Sequence, residues 1–468
     1  MSPSTPTKHD EVLGSSFRDP SGFLFRREGR LYRQVNEVYR RDYDRLMASG
    51  LYETLQQAGH LVSHAEVDVD PPMPKQAFRV IEPTPVPFVS YPYEWCFGQL
   101  KAAALLTLGL QKTAMGFGMG LKDASAYNVQ FWGYRPVLID TLSFERYEPG
   151  MPWVAYRQFC QHFLAPLALM SFVDVRLGGL LRVHLDGVPL DLASRLLPAR
   201  TRLKLGLLLH LHAHATSQRR YAGKAVRPGS ARMSELALRG LIDSLESTVR
   251  GLRWRPEGTE WADYYDKLSY TSAALDHKRE LVAQLLDRLH PAPTQVWDLG
   301  ANTGLFSRVV SDRGIFTVAA DLDCAAVERN FQSVTANRET NLLPLVFDLT
   351  NPSPSLGWAG RERLSLVERG PADLTIALAL IHHLAIGNNV PFDRVASCFA
   401  QLGRSLIAEF VPKDDPQVQR LLATRKDIFG DYTQARFEEE FARHFSIVEK
   451  HAIRESERYL YLMQRHSP

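Results

Sequence analysis

The sequence predicts an α/β protein in two parts, with a doubly wound sheet in the C-terminal half preceded by an α+β domain. Three observations carry this. From residue 294 onward, short β-type runs alternate with helical ones. The first run enters a glycine-bearing loop, DLGANTG at 298–304, that opens a helix. The next two runs close on Asp321 and Asp348. Alternating strands and helices build a largely parallel sheet, and such sheets bind ligands beyond the carboxyl ends of their strands.

A chain of 468 residues with 45% hydrophobic and 23% charged residues is an ordinary soluble protein of two or three domains. Its 55 basic and 52 acidic residues give a net charge of +3. No concentrated positive charge is available for a phosphate backbone, so no nucleic-acid partner is expected. Arg40-Arg41 and Arg219-Arg220 read as solvated helix faces. The four cysteines, at 96, 160, 324 and 398, form no CxxC pair. No metal site or disulfide framework is expected, and a reducing compartment fits. The N-terminal MSPSTPTKHDEVLGSS lacks the apolar stretch of a secretory signal. No run approaches the ~20 apolar residues that span a bilayer. A cytoplasmic protein with no membrane partner is expected.

Along the chain, residues 1–15 read as a disordered tail. Residues 21–35 read as a hairpin around Glu28-Gly29. A helix over 36–58 would carry Val38, Leu46, Leu51 and Leu55 on one side. The Pro-rich stretch 70–88 should be extended. A helix near 94–113 leads to GFGMG at 116–120, read as a turn, and 129–140 reads as a second hairpin. Residues 152–220 should be mostly helical, completing a domain over 16–220. A linker over 221–258 then precedes a domain over 259–468, which opens with the helical lead-in WADYYDKL. Its strands are TQVWDLG, FTVAADLD, LLPLVFDL, ADLTIALALI and RSLIAEFV. FSIVEKHAI and RYLYLMQR should close it as an antiparallel edge.

The loop at 298–304 carries the chemistry. Gly300, Asn302 and Gly304 alternate, which lets backbone approach a ligand that a Cβ would exclude. Asn302 stands where a glycine is usual; Asn tolerates positive φ, so the turn survives. Asp321 follows Gly304 by seventeen residues, in the range where an acid meets ribose hydroxyls. Asp348 ends the third run, where a carboxylate accepts from an adenine amino group.

This pattern, over roughly 260–468, resembles class I S-adenosylmethionine-dependent methyltransferases with their Rossmann-like doubly wound sheet. The resemblance implies S-adenosyl-L-methionine as cofactor. It places Asp298 and Gly300 along the methionine moiety, Asp321 at the ribose, and Asp348 with Leu349 around the adenine. Asp323 rivals Asp321, but it stands where the next helix should begin. Tyr264 and Tyr265 in the lead-in are candidates for a lid, or for helix packing. Methyl transfer from a sulfonium mainly requires orientation and exclusion of water. A base is needed only where the acceptor must lose a proton. His382 and His383 follow the fourth strand, with His383 the preferred base, and Glu409 at the end of the fifth strand is a second substrate-side candidate.

In the N-terminal half, Asp123, Asn128 and Asp140 stand in the order D-x4-N…D. The order resembles the catalytic loop and metal-binding aspartate of protein kinases and aminoglycoside-phosphotransferase-like enzymes. Against it, Leu121-Lys122 replace the usual histidine, no GxGxxG occurs in the first hairpin, and Thr-Leu follow Asp140. Arg30 or Arg33 would have to clamp a nucleotide. The other reading is a substrate-presenting or dimerising domain. The expected partner is a small-molecule or carbohydrate-like methyl acceptor.

Overall fold

The protein is described by a computed structural model that covers residues 11–213, 232–258, 272–423 and 425–466. Most of the expected tail, part of the linker and the lid candidates Tyr264 and Tyr265 lie outside these residues. The chain divides into two compact units. The first comprises the residues up to Phe131, Pro136–Trp254 and Ser355–Arg363; the second comprises Trp132–Arg135, Arg255–Pro354 and Leu364 onward.

In the first unit, β1 (Glu11–Val12), β2 (Gly22–Arg27), β3 (Arg30–Asn36), β4 (His64–Glu66) and β5 (Ala77–Pro83) form an antiparallel sheet in the order β1-β2-β3-β5-β4. The β2–β3 turn has Glu28 at φ 53° and Gly29 at φ 78°, the geometry that matches strand twist in a tight hairpin. Phe23, Phe25, Tyr32 and Val80 form one buried cluster on this sheet.

The expected helix over 36–58 is two helices, α1 (Arg40–Ala48) and α2 (Leu51–Gln57), split at Gly50 with φ 84°. Leu46, Leu51 and Leu55 are buried, but Val38 is 71% exposed. Val38 sits in a short 3-10 turn, where Tyr39 takes the inward position. The Pro-rich stretch supplies β5, which lies between β3 and β4. After α3 (Phe97–Gly116), Gly118 at φ 70° turns the chain into β6 (Met119–Leu121). GFGMG is therefore a turn. β7 (Val129–Trp132) pairs with β8 (Arg135–Leu138) as the second hairpin, and β9 (Phe144–Arg146) pairs with β6.

Residues 235–251, expected within a linker, form a seventeen-residue helix, α4 (Glu235–Gly251). Leu238, Ile242, Leu245 and Val249 recur every three or four residues along it and are all buried. The Ser234 hydroxyl accepts from the Ala237 N–H at its start. Lys101 Nζ on α3 donates to the carbonyls of Arg250 and Leu252, tying the end of α4 to α3.

The second unit is a seven-stranded sheet. Its elements are α5 (Ser272–Asp287), β10 (Gln295–Leu299), α6 (Leu305–Ser311), β11 (Phe316–Asp321), α7 (Cys324–Asn337), β12 (Leu342–Val346), β13 (Ala372–Ala377), α8 (Phe392–Leu402), β14 (Gly403–Phe410), α9 (Pro416–Leu422), α10 (Gln434–Ala442), β15 (Phe445–Ala452) and β16 (Tyr459–Arg465). The strand order is β12-β11-β10-β13-β14-β16-β15. The first five are mutually parallel, and β16 runs antiparallel to both β14 and β15. The expected antiparallel edge is present. Leu281, Val282, Leu285 and Leu286 of α5 join Val296, Leu374, Ile376 and Ile407 in one core. The order reverses between β10 and β13, which places the crevice of an open sheet beyond their carboxyl ends. Among the described residues, no helix is long and apolar enough to cross a membrane.

Candidate active site

A cavity of about 330 Å³ opens at that reversal point. Asp298, Gly300, Asn302, Asp321, Asp348, Leu349 and His383 all line it. The tips of β10, β11 and β12 therefore share one cavity.

Local chemistry shapes the glycine-bearing loop. Gly300, Asn302 and Gly304 have φ of 82°, 50° and 81°. The N–H groups of Gly300 and Ala301 both donate to the Ala320 carbonyl, folding the loop over the neighbouring strand. A Cβ on Gly300 would lie 3.3 Å from the Leu380 side chain, so the missing side chain lets Leu380 pack close against the loop. Gly304 does not line the cavity. It caps α6, and a Cβ there would meet Asn330 and Arg308 at 2.6–2.8 Å behind the loop. Arg308 braces the same side by donating to the carbonyls of Thr303 and Gly304 and to Asn330 Oδ1.

The carboxylates differ in their company. Asp298 Oδ2 accepts from the Ser307 hydroxyl at 2.6 Å, and burial pushes its pKa up to about 6. Asp321 accepts from the N–H groups of Asn302 (2.7 Å) and Asp323 (2.8 Å), yet burial still pushes it up to about 6. Both are poised to gain from a ligand that prefers their charged form. Asp323 caps α7 by accepting from the N–H groups of Ala325 and Ala326 and is absent from the cavity lining, as its position predicted. Asp348 lies two residues beyond β12 and accepts from Thr350 through both N–H and hydroxyl.

On the opposite wall, His383 begins a helical turn after β13, and its N–H donates to the Leu380 carbonyl. Burial, reinforced by Arg458, lowers its pKa to about 4, so the ring is neutral at pH 7. His382 packs beside it, with ring centroids 4.2 Å apart, but does not line the cavity. Glu409 does not line it either. Its side chain turns into the interior, where it is 0% exposed and meets Lys278 Nζ at 2.5 Å and Arg458 at 3.2 Å.

Lys278, Phe306, Phe347, Leu378–Leu380 and Asn388 also line the cavity and were not singled out from sequence. Lys278 shows why: lysine is almost never fully buried, and Glu409, which meets this side chain at 3% exposure, lies 131 residues away.

The first unit gathers a second polar cluster. Asn128 hydrogen-bonds to Asp123 and donates to Ser143 Oγ at 3.2 Å; Ser143 donates to Asp140 Oδ2 at 2.6 Å. Arg33 Nη1 meets Asp140 Oδ1 at 2.5 Å, whereas Arg30 pairs with Glu82. Burial raises the Asp140 pKa, but Arg33 and the hydrogen bonds from Ser143 and Leu142 outweigh it, and the net shift is downward. Lys122 Nζ donates to Ser21 Oγ at 2.6 Å.

Sheet order, glycine-bearing loop and strand-end carboxylates make the second unit a class I S-adenosylmethionine-dependent methyltransferase fold. No family model matches the chain. It is 37% identical over 465 residues to nodulation protein NoeA of Rhizobium meliloti (strain 1021), covering 97% of this chain and 96% of that protein. The chain belongs to the NoeA family. Solved structures similar to this chain include WbdD and ChlM. The bifunctional kinase-methyltransferase WbdD is 17% identical, with 47% of this chain and 45% of that one covered and a TM-score of 0.30. Less than half of WbdD's length is thus spanned. Magnesium protoporphyrin IX methyltransferase (ChlM) from Synechocystis PCC 6803 with bound SAH is 17% identical, with 44% and 93% covered and a TM-score of 0.31.

Proposed function

We propose that this protein transfers a methyl group from S-adenosyl-L-methionine to a small or carbohydrate-like acceptor in the cytoplasm. The observation that carries the reading is the convergence of Asp298, Asp321 and Asp348, from three consecutive strand ends, on one cavity. The residues fit the cofactor: the loop bends through positive φ at Gly300 and Asn302 beside the cavity, and the Asp298 and Asp321 carboxyls that line it are held above their ordinary pKa until a donor-bearing ligand meets them. When bound, S-adenosylmethionine supplies a methyl group on a good leaving group.

Within this reading the chain orients and dehydrates. Asp298 and Gly300 face the methionine end, Asp321 takes the ribose hydroxyls, and Asp348 with Leu349 frames the adenine. His383, neutral at pH 7, accepts the proton of an acceptor hydroxyl or amine. His382 and Glu409 support the wall rather than the chemistry. A net charge of +3 over 468 residues favours an uncharged acceptor over nucleic acid. The test is incubation of the purified chain with methyl-labelled S-adenosylmethionine and fractionated cell extract. Label entering one small-molecule fraction supports the reading; label in none, with cofactor bound, contradicts it.

A second reading, a phosphotransferase or a nucleotide-sensing pseudokinase carrying a methyltransferase fold, is favoured by the chain of contacts Asp123–Asn128–Ser143–Asp140–Arg33. In it, Asn128 and Asp140 would hold a metal-bound nucleotide and Arg33 its phosphates. A rise in thermal midpoint of the full chain with Mg-ATP, absent in Asp140→Asn, supports it; no rise with any nucleotide removes it.

A further inference from the structure

The wall opposite the glycine-bearing loop is held by a strained turn. Ala379, two residues beyond β13, has φ 50°, a left-handed conformation that costs a side chain free energy. It lines the cavity between Leu378 and Leu380. Its N–H donates to Glu409 Oε2 at 2.7 Å. That same oxygen meets Lys278 Nζ, while Oε1 meets Arg458, whose guanidinium is also bound by both oxygens of Asp415. Lys278 rests with Nζ 4.7 Å from the Phe306 ring centre. Downstream of Ala379, the Leu380 side chain covers Gly300, and the Leu380 carbonyl accepts from the N–H of His383.

A buried ion pair is weak evidence for stability, since two well-packed apolar residues often serve as well. Here the carboxylate meets a need that no apolar residue fills, because the Ala379 N–H points into the interior and requires an acceptor. We infer that Glu409 is a positioning residue: by accepting from Ala379 it holds the turn that lays Leu380 against Gly300 and aims His383 at the cavity. Lys278 and Arg458 fix the carboxylate in turn. The inference rests on the methyl-transfer reading of the cavity.

Two double variants separate the hydrogen bond from the charges. Lys278→Met with Glu409→Gln removes the ion pair but keeps an acceptor for Ala379. Lys278→Met with Glu409→Leu removes both. In each, Arg458 retains Asp415 as partner. Affinity for S-adenosylhomocysteine, measured on folded protein, should be at least ten-fold weaker in the Leu variant than in the Gln variant. Adding Ala379→Gly to the Leu variant should restore affinity to within about three-fold of the Gln variant, because glycine holds positive φ without strain.

A merely structural role would lower the thermal midpoint of the Leu variant and leave its affinity equal to that of the Gln variant. Equal affinities, or no rescue by Ala379→Gly, overturn the inference. Should the Leu variant fail to fold, amide hydrogen exchange at Ala379 in the wild-type chain decides: exchange slowed about a thousand-fold is expected, and exchange at the free-peptide rate overturns it. Wild-type protein that binds no S-adenosylhomocysteine would sink the underlying reading of the cavity, a distinct outcome.

Discussion

The N–H of Asn302 donates to Asp321 Oδ2 at 2.7 Å, so the tip of the glycine-bearing loop is tied to the tip of the neighbouring strand. Asn302 makes this bond at φ 50°. Asn302→Gly keeps that backbone and should leave affinity for S-adenosylhomocysteine within a few-fold. Asn302→Val, β-branched and disfavoured at positive φ, should weaken it by more than ten-fold. Calorimetry on the two variants compares them directly; equal affinities would mean the loop conformation does not shape the cavity.

Asp298 carries a cost in the ligand-free protein. Its folded pKa, about 6, lies above the unfolded value near 3.9. A raised carboxyl pKa contributes stability that is fully present below pH 4 and is lost as pH rises through 6. Asn at this position never ionises and still offers an oxygen to Ser307. Asp298→Asn should therefore raise the stability of ligand-free protein by about 1–3 kcal/mol at pH 8 and leave it little changed at pH 4. Denaturant midpoints at the two pH values are the check, and a destabilised variant at pH 8 would contradict it.

The same ionisation should govern how S-adenosylmethionine affinity, proposed for this cavity, depends on pH. Both Asp298 and Asp321 are pushed up to about 6, and a ligand offering an ammonium and ribose hydroxyls binds their charged forms better. Affinity for S-adenosylmethionine should rise as pH increases from 5 to 7 and level off above. A flat profile across that range would show that neither carboxylate faces the ligand.

His383 lines the cavity and is neutral at physiological pH. His383→Ala should lower methyl transfer by about 100-fold or more while S-adenosylhomocysteine affinity changes less than about three-fold. Parallel loss of both would make the residue a wall and not a base.

The sequence disclosed this site unevenly, for physical reasons. Gly300, Asn302, Asp321 and Asp348 were legible because positive φ and strand ends leave a local signature, and the chain needs no distant partner to express it. Glu409 was legible as a strand-end acid, but its orientation was not. Its direction is set by Lys278, 131 residues away, and by Arg458. Gly304 was read as a ligand contact because it belongs to the same loop, yet its freedom serves the contact with Asn330 and Arg308 behind it. The helix at 235–251 was hidden by the Pro- and Gly-bearing segments on either side of it, GKAVRPGS and RWRPEG. Its Leu238–Ile242–Leu245–Val249 stripe was readable by periodicity alone.

Titration calorimetry of S-adenosylhomocysteine into wild-type protein and Asp321→Ala tests the central claim most directly. Wild type should bind with a single site. Asp321→Ala, which loses the ribose acceptor and the tie to Asn302, should bind at least about ten-fold more weakly, the effect of removing a charged hydrogen-bond partner. Identical binding by the two proteins, or none by wild type, would contradict a shared cavity built from these strand ends for an adenosyl ligand.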